Sequence, residues 1–219
     1  MIKAIIFDLD GVIVSTDDFH YMAWKQIALE QGIYFDKTIN HRLRGVSRME
    51  SLEIILSNSN RSYTMEEKLS LAKEKNDYYV SLLGQLSKKD ILPRVISTLK
   101  WLKHRNYKIA IGSSSKNAKT ILQKLDILEW FDVIVDGNDL SFSKPHPQVF
   151  NLAAERLHLS SVDCAVVEDA EAGIEAAKSA NMIVFGMGEA SKYAKTDHPI
   201  QFIDEIIPHL TTRSKTPLS

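Results

Sequence analysis

The sequence predicts an α/β fold: a parallel β-sheet flanked by helices, with a small α-helical unit inserted after the first strand. Three observations predict it. Five short apolar runs read as buried strands, helical spacing separates the later ones, and one long early interval has helical spacing and no strand. Strands that are apolar throughout, rather than alternating, suit a parallel sheet covered on both faces.

The first run, residues 2–7, delivers Asp8-Leu9-Asp10-Gly11-Val12. Residues two apart in a strand share a face, so Asp8 and Asp10 are expected side by side at its end. Like charges there repel, and burial worsens their position. The pair becomes tolerable with a divalent cation between the carboxylates, or with one of them protonated. The interval 15–89 follows, with Met22-Trp24-Ile27-Ala28, Leu52-Ile54-Ile55-Leu56, Leu69-Leu71-Ala72 and Tyr78-Tyr79-Leu82-Leu83 at helical positions. Its length predicts a separate small domain over 15–89, leaving 1–14 and 90–219 as the core; an elongated crossover is the alternative.

Four further strands are expected at 107–111, 131–135, 164–167 and 182–185. Helical patterns accompany them: Val95-Ile96-Leu99-Leu102, Ile121-Leu122-Leu125, Val149-Phe150-Ala153-Ala154-Leu157 and Ala172-Ile174-Ala176-Ala177. The polar tail 211–219 is expected to fray. With 27 basic and 28 acidic side chains, the charge balance excludes broad nucleic-acid or membrane-surface binding, though not a local basic pocket. The single Cys164 cannot close an internal disulfide and reads as a packed strand residue in a reducing compartment. No apolar run approaches membrane-spanning length, and the N-terminal run lacks a signal-peptide layout. A cytoplasmic location is expected.

Ligands of such sheets bind beyond the carboxyl ends of the strands, and polar residues gather there. The second strand runs into Gly112-Ser113-Ser114-Ser115-Lys116-Asn117, whose hydroxyls and N–H groups suit a phosphate, or an ordinary serine cap. The fourth runs into Glu168-Asp169, a further acidic site or a capping pair. Between them lies Ser143-Lys144-Pro145-His146-Pro147, where a lone lysine is ordinarily surface charge.

As a set, DLDGV at 8–12, Ser113, Lys144-Pro145 and Glu168-Asp169 resemble the haloacid dehalogenase superfamily, in the subfamily with a helical cap after the first strand. The resemblance implies a Rossmann-like core and a cap. It makes Asp8 the nucleophile and Asp10 the general acid–base. Mg²⁺ would be held by Asp8, the Asp10 backbone carbonyl and Asp169, with Glu168 a partner in the site. Lys144, Ser113 and the Ser114 N–H would bind the transferring phosphoryl group. Charge repulsion opposes attack by a carboxylate on a phosphate, and a metal with Lys144 would offset it.

The stretch Arg44-Gly45-Val46-Ser47-Arg48-Met49-Glu50-Ser51, with His20 and Trp24 before it, resembles the substrate loop and cap helix of β-phosphoglucomutases. On that likeness Arg48, Ser115, Lys116 and Asn117 grip the phosphate that is not being transferred, and His20, Trp24, Arg44, Gly45 and Ser51 meet the sugar. The implied activity interconverts β-D-glucose 1-phosphate and glucose 6-phosphate through an aspartyl-phosphate and glucose 1,6-bisphosphate. A sugar-phosphate or phosphoglycolate phosphatase is the alternative, and a non-catalytic phosphosugar-binding protein a third reading. The expected partner is a small sugar phosphate taken by a monomer, with no nucleic acid and no membrane. Arg44 and Arg48 could instead share a solvated helix face, but Gly45 between them favours a loop. Three positions depart from the family pattern: Arg44 for a usual lysine, Ser15 for a hinge aspartate, and Asn181 for a glycine, where asparagine tolerates the left-handed backbone.

Overall fold

A computed structural model describes residues 1–44 and 46–211. Gly45 and nearly all of the polar tail, 212–219, lie outside the described residues. The strands are β1 (Ala4–Phe7), β2 (Lys108–Gly112), β3 (Val133–Val135), β4 (Cys164–Glu168), β5 (Ile183–Gly186) and β6 (His198–Pro199). The helices are α1 (Asp17–Glu30), α2 (Lys37–His41), α3 (Arg48–Leu56), α4 (Met65–Leu83), α5 (Val95–His104), α6 (Ala118–Lys124), α7 (Gln148–Arg156), α8 (Glu171–Ser179) and α9 (Ile206–Thr211).

All six strands are parallel, in the order β3-β2-β1-β4-β5-β6. The apolar runs sort by the two-residue period of a strand. Ile5, Phe7, Ile109, Ile111, Ala165 and Val167 face one layer, built with α5 and α6. Ala4, Ile6, Ala110, Cys164 and Val166 face the other, built with α7 and α8. Both faces of the central strands are therefore buried, which is why their sequences read as continuous apolar runs. Cys164 is fully buried, and desolvation pushes its thiol up to about 11, so it packs rather than reacts.

The helices α1 to α4 fall between β1 and α5 and enclose an apolar cluster of their own, with Trp24, Ile27, Leu52, Ile55 and Leu71 at its centre. The chain leaves the sheet at Val14 and returns at Ile91, and these two residues bridge antiparallel. Leu92 also donates its N–H to Ile13 at 2.9 Å. The insert is thus joined to the sheet by two adjacent strands of chain, above the carboxyl end of β1. At the far end of α8, Asn181 adopts a left-handed backbone (φ 57°), as its sequence position requires.

Three elements were not expected from sequence. The edge strand β6 is two residues long and contains proline, so it leaves no apolar run. The five-residue α2 begins at an Asp36 cap whose carboxylate accepts the Ile39 N–H at 2.8 Å. The six-residue α9 closes the first layer through Ile206.

Candidate active site

Register brings the acidic residues together. Phe7 pairs with both Ile111 and Val167, so one step further on Asp8 lies level with Gly112 and Glu168. The strand order reverses about β1, the place where doubly wound sheets open a crevice. A cavity of about 490 Å³ lies there between sheet and insert, lined by Asp8, Asp10, Ser113, Lys144, Glu168 and Asp169 on the sheet side. His20, Trp24, Arg44, Arg48 and Ser51 line it from the insert, and Ser114, Ser115, Lys116 and Asn117 from the turn after β2.

Lys144 is buried, not surface charge as a lone lysine would be. Its Nζ donates to Asp8 Oδ1 at 2.5 Å and Glu168 Oε2 at 2.8 Å. Burial would lower its pKa, but the two carboxylates outweigh this and raise it. One carboxylate oxygen each from Asp8, Glu168 and Asp169 lie within 4.8 Å of one another, an all-oxygen donor set that fits a hard divalent cation. Burial, then the charge of Asp8, pushes Glu168 up to about 7 against the pull of Lys144. Burial and the neighbouring acids also raise Asp169. Two glycines make room for this cluster. A Cβ on Gly11 would stand 2.1 Å from the Asp169 carboxylate, and one on Gly173 2.0 Å from that of Glu168.

Of the two ways of tolerating the Asp8/Asp10 pair, a cation between both carboxylates does not match the structure, and a protonated Asp10 does. β1 ends before Asp8, and the backbone turns through Gly11 (φ 85°). Both oxygens of Asp10 are taken by Thr16, whose N–H donates at 2.7 Å and hydroxyl at 2.5 Å. The Asp10 carboxylate is therefore not one of the three clustered acids. Thr16 Oγ1 in turn lies 2.9 Å from Tyr79 Oη; since its proton goes to Asp10, Tyr79 is the donor. Desolvation, beyond what Thr16 offsets, pushes Asp10 up to about 6, with Asp8 and Asp17 adding repulsion. Such a group exchanges protons near neutral pH, as a general acid–base must.

The turn after β2 is a chain of hydroxyl-to-backbone bonds rather than a simple serine cap. Ser113 Oγ accepts from Ser115 N at 3.1 Å, and Ser115 Oγ from Asn117 N at 3.2 Å. Ser113 is buried level with the acids. The Ser114 hydroxyl makes no side-chain bond among the described residues. Across the cavity, Ser47 and Glu50 form a reciprocal capping box, with bonds of 3.2 and 2.8 Å. This fixes the start of α3 and sets Arg48 at its first position, while α2 and α3 are separate helices, so Arg44 and Arg48 do not share a continuous helical face. Arg44 pairs with Asp17 at 2.8 Å, and Asn40 donates to the same carboxylate at 3.1 Å. Trp24 is buried in the insert core and also lines the cavity, with Lys75 over its ring.

Sequence reasoning missed Thr16, Lys75, Asn76, Asp17 and Asn40. Lys75 carried a signal: Leu71, Lys75, Tyr79 and Leu83 form one buried stripe of α4, with a lysine at a core position. Its Nζ lies 2.8 Å from His20 Nδ1 and over the Trp24 and Tyr79 rings. Burial, helped by Arg48, depresses the Lys75 pKa; burial, then Lys75, depresses that of His20.

A doubly wound parallel sheet, with a nucleophile-type carboxylate, a buried lysine and an acidic trio at its switch point, defines a phosphoryl-transfer enzyme of the haloacid dehalogenase type. The sequence profile of haloacid dehalogenase-like hydrolases matches residues 2–181, and the chain belongs to that family. It is 46% identical over 197 residues to a β-phosphoglucomutase of Bacillus subtilis (strain 168), covering 89% of this chain and 87% of that protein. It is 43% identical to β-phosphoglucomutase from Clostridium difficile, whose crystal structure superposes with a TM-score of 0.89, covering 94% of this chain and 93% of that one. A phosphorylated carbohydrates phosphatase of Thermotoga maritima is 30% identical, covering 82% of each chain. Among the described residues, no helix is long and apolar enough to cross a membrane.

Proposed function

We propose that the chain is a β-phosphoglucomutase, interconverting β-D-glucose 1-phosphate and glucose 6-phosphate through phospho-Asp8 and glucose 1,6-bisphosphate. The observation that carries this reading is a second cationic and amide donor set, Arg48 and Asn117 with Lys116, on the cavity wall apart from the acids. A mutase reacts at either end of a bisphosphate and needs a grip on the phosphate at rest. An arginine fork suits that grip. The likeness to the two β-phosphoglucomutases supports the same reading.

The residues divide the work as follows. An Asp8 carboxylate oxygen attacks one phosphorus of the bisphosphate, and the bond from that phosphorus to the sugar oxygen breaks, leaving a sugar monophosphate. Asp10, protonated, gives its proton to that leaving oxygen. In the other half the free hydroxyl of a sugar monophosphate loses its proton to Asp10 as its oxygen attacks phospho-Asp8, which gives the bisphosphate and restores the Asp8 carboxylate. Lys144, Ser113 and the Ser114 N–H hold the phosphoryl oxygens in transit. Asp8, Asp169 and the Asp10 backbone carbonyl, with Glu168 beside them, would hold Mg²⁺, which supplies Lewis-acid charge against the repulsion between nucleophile and phosphate. Thr16 orients the Asp10 carboxylate and keeps it within its working range. Residues 15–89 act as a cap over the core formed by 1–14 and 90–219; its closure excludes water, which would otherwise release phosphate from Asp8.

The test is a product assay: β-glucose 1-phosphate, Mg²⁺ and a trace of the bisphosphate, followed by phosphorus NMR. Glucose 6-phosphate as the main product supports the mutase. Stoichiometric inorganic phosphate makes the chain a sugar-phosphate phosphatase.

A further inference from the structure

Asn76 stands one residue beyond Lys75 on α4, and the phosphoryl-transfer steps make no use of it. Its Oδ1 accepts two hydrogen bonds from distant parts of the fold. Arg48 Nη2, at the first residue of α3, donates at 2.7 Å, and Asn117 Nδ2, just before α6, donates at 3.0 Å. Arginine can only donate, which fixes the oxygen of Asn76, not its nitrogen, toward Arg48. One neutral acceptor therefore draws a guanidinium of the insert and a carboxamide of the sheet unit to a single point on the cavity wall. Both donors keep unused N–H groups, since a guanidinium carries five and a carboxamide two. The adjacent acid Asp77 pairs with Lys73 at 2.6 Å and not with Arg48, so its charge reaches the guanidinium only through space.

We propose that Asn76 is a positioning residue for the phosphate at rest: its carboxamide oxygen holds Arg48 and Asn117 convergent without adding a negative charge for the anion to meet. The inference rests on reading the Arg48 wall as the site of the non-transferring phosphate. A carboxylate in this place would bind Arg48 more strongly, but it would neutralise the guanidinium and repel the phosphate. A methyl group would hold neither donor, and both side chains would regain rotamer freedom that binding must then remove. Asparagine satisfies both requirements.

The test compares Asn76→Ala and Asn76→Asp with the unaltered chain on two substrates, a phosphoryl acceptor and a phosphoryl donor. β-Glucose 1-phosphate presents a phosphate to the resting site as its sugar reacts with phospho-Asp8. Acetyl phosphate can phosphorylate Asp8 with no second anion. The readout is the KM for the sugar phosphate divided by the KM for acetyl phosphate. This ratio should rise about tenfold in Asn76→Ala and further in Asn76→Asp, with kcat falling less than KM rises. A ratio that stays within about twofold of the unaltered chain in Asn76→Asp, or equal KM changes for both substrates, overturns the proposal. The ratio can be read from sugar-phosphate consumption whether the product is an isomer or free phosphate. Failure of the mutase reading, seen as absent glucose 6-phosphate with the unaltered chain, is thus a separate result from failure at Asn76.

Discussion

Replacing Lys144 with methionine keeps the length of the side chain and removes its charge. The lysine is 1% exposed and bonded to Asp8 at 2.5 Å and Glu168 at 2.8 Å, with Asp169 in the same cluster. Removing one partner of such a buried set leaves uncompensated carboxylates and costs about 3–5 kcal/mol. For a chain of this size that is a fall in melting temperature of roughly 6–20 °C. The loss should depend on pH. Glu168 sits at about 7 in the folded chain, and Asp169 well above its ordinary value. An unfolded carboxyl titrates near about 4, so between these values the folded state holds protons that the unfolded state has lost. The contribution of these protonated acids to stability is therefore present at low pH and lost as pH rises through about 7. Lys144 itself titrates above this whole window, so its own ionisation adds no slope. In Lys144→Met the acids lose their counter-charge, and the gap from the unaltered chain should widen from about pH 5.5 to about pH 8. Scanning calorimetry in EDTA at the two pH values measures it, and Mg²⁺ at the higher pH should narrow it. An equal loss at both pH values, unmoved by Mg²⁺, would refute the assignment of Lys144 as the charge that holds the acidic trio together.

Four other outcomes follow from the same geometry. Asp10→Asn should lower kcat by about 10²–10⁴-fold while changing Mg²⁺ affinity little, because its carboxylate lies with Thr16 and not with the acidic trio; a collapse of Mg²⁺ affinity by calorimetric titration would mean the roles are wrong. Asp169→Asn should do the reverse first, weakening Mg²⁺ by about tenfold or more. Thr16→Val removes a bond that holds the Asp10 pKa down, so the limb of the pH–rate profile near about 6 should move to higher pH, with kcat reduced severalfold; an unshifted profile would separate Thr16 from Asp10. Asp17→Ala frees Arg44 from a partly exposed pair, and denaturant titration should find stability changed by less than about 1 kcal/mol while the KM for the sugar phosphate rises.

The sheet was legible because its central strands are buried on both faces, which leaves unbroken apolar runs such as Ala4–Phe7 and residues 164–167. The edge strand His198–Pro199 is held by backbone pairing at Phe185 and Gly186, which no side-chain pattern advertises. At the site, Asp8, Ser113, Glu168 and Asp169 could be read from sequence because each ends or follows a strand, where chain position dictates spatial position, whereas Lys144 lies in a loop and was legible only through the family resemblance. Thr16, Asn76 and Asn40 could not. Each is a small polar residue that matters through particular hydrogen bonds no pattern announces: Thr16 with Asp10 and Tyr79, Asn76 with Arg48 and Asn117, Asn40 with Asp17. The Asp8/Asp10 pair shows the limit of strand periodicity most clearly. The period holds to the end of β1, but at Gly11 the backbone turns, and the carboxylates part toward Lys144 and Thr16.

The central claim is that phospho-Asp8 passes its phosphoryl group to a sugar phosphate in preference to water. Enzyme labelled at Asp8 with radioactive acetyl phosphate, freed of excess donor and mixed with β-glucose 1-phosphate and Mg²⁺, measures that choice in one turnover. The label should appear in glucose 1,6-bisphosphate and glucose 6-phosphate, with inorganic phosphate a minor product. Label released as inorganic phosphate at the same rate with and without the sugar phosphate would contradict the claim and make the chain a hydrolase.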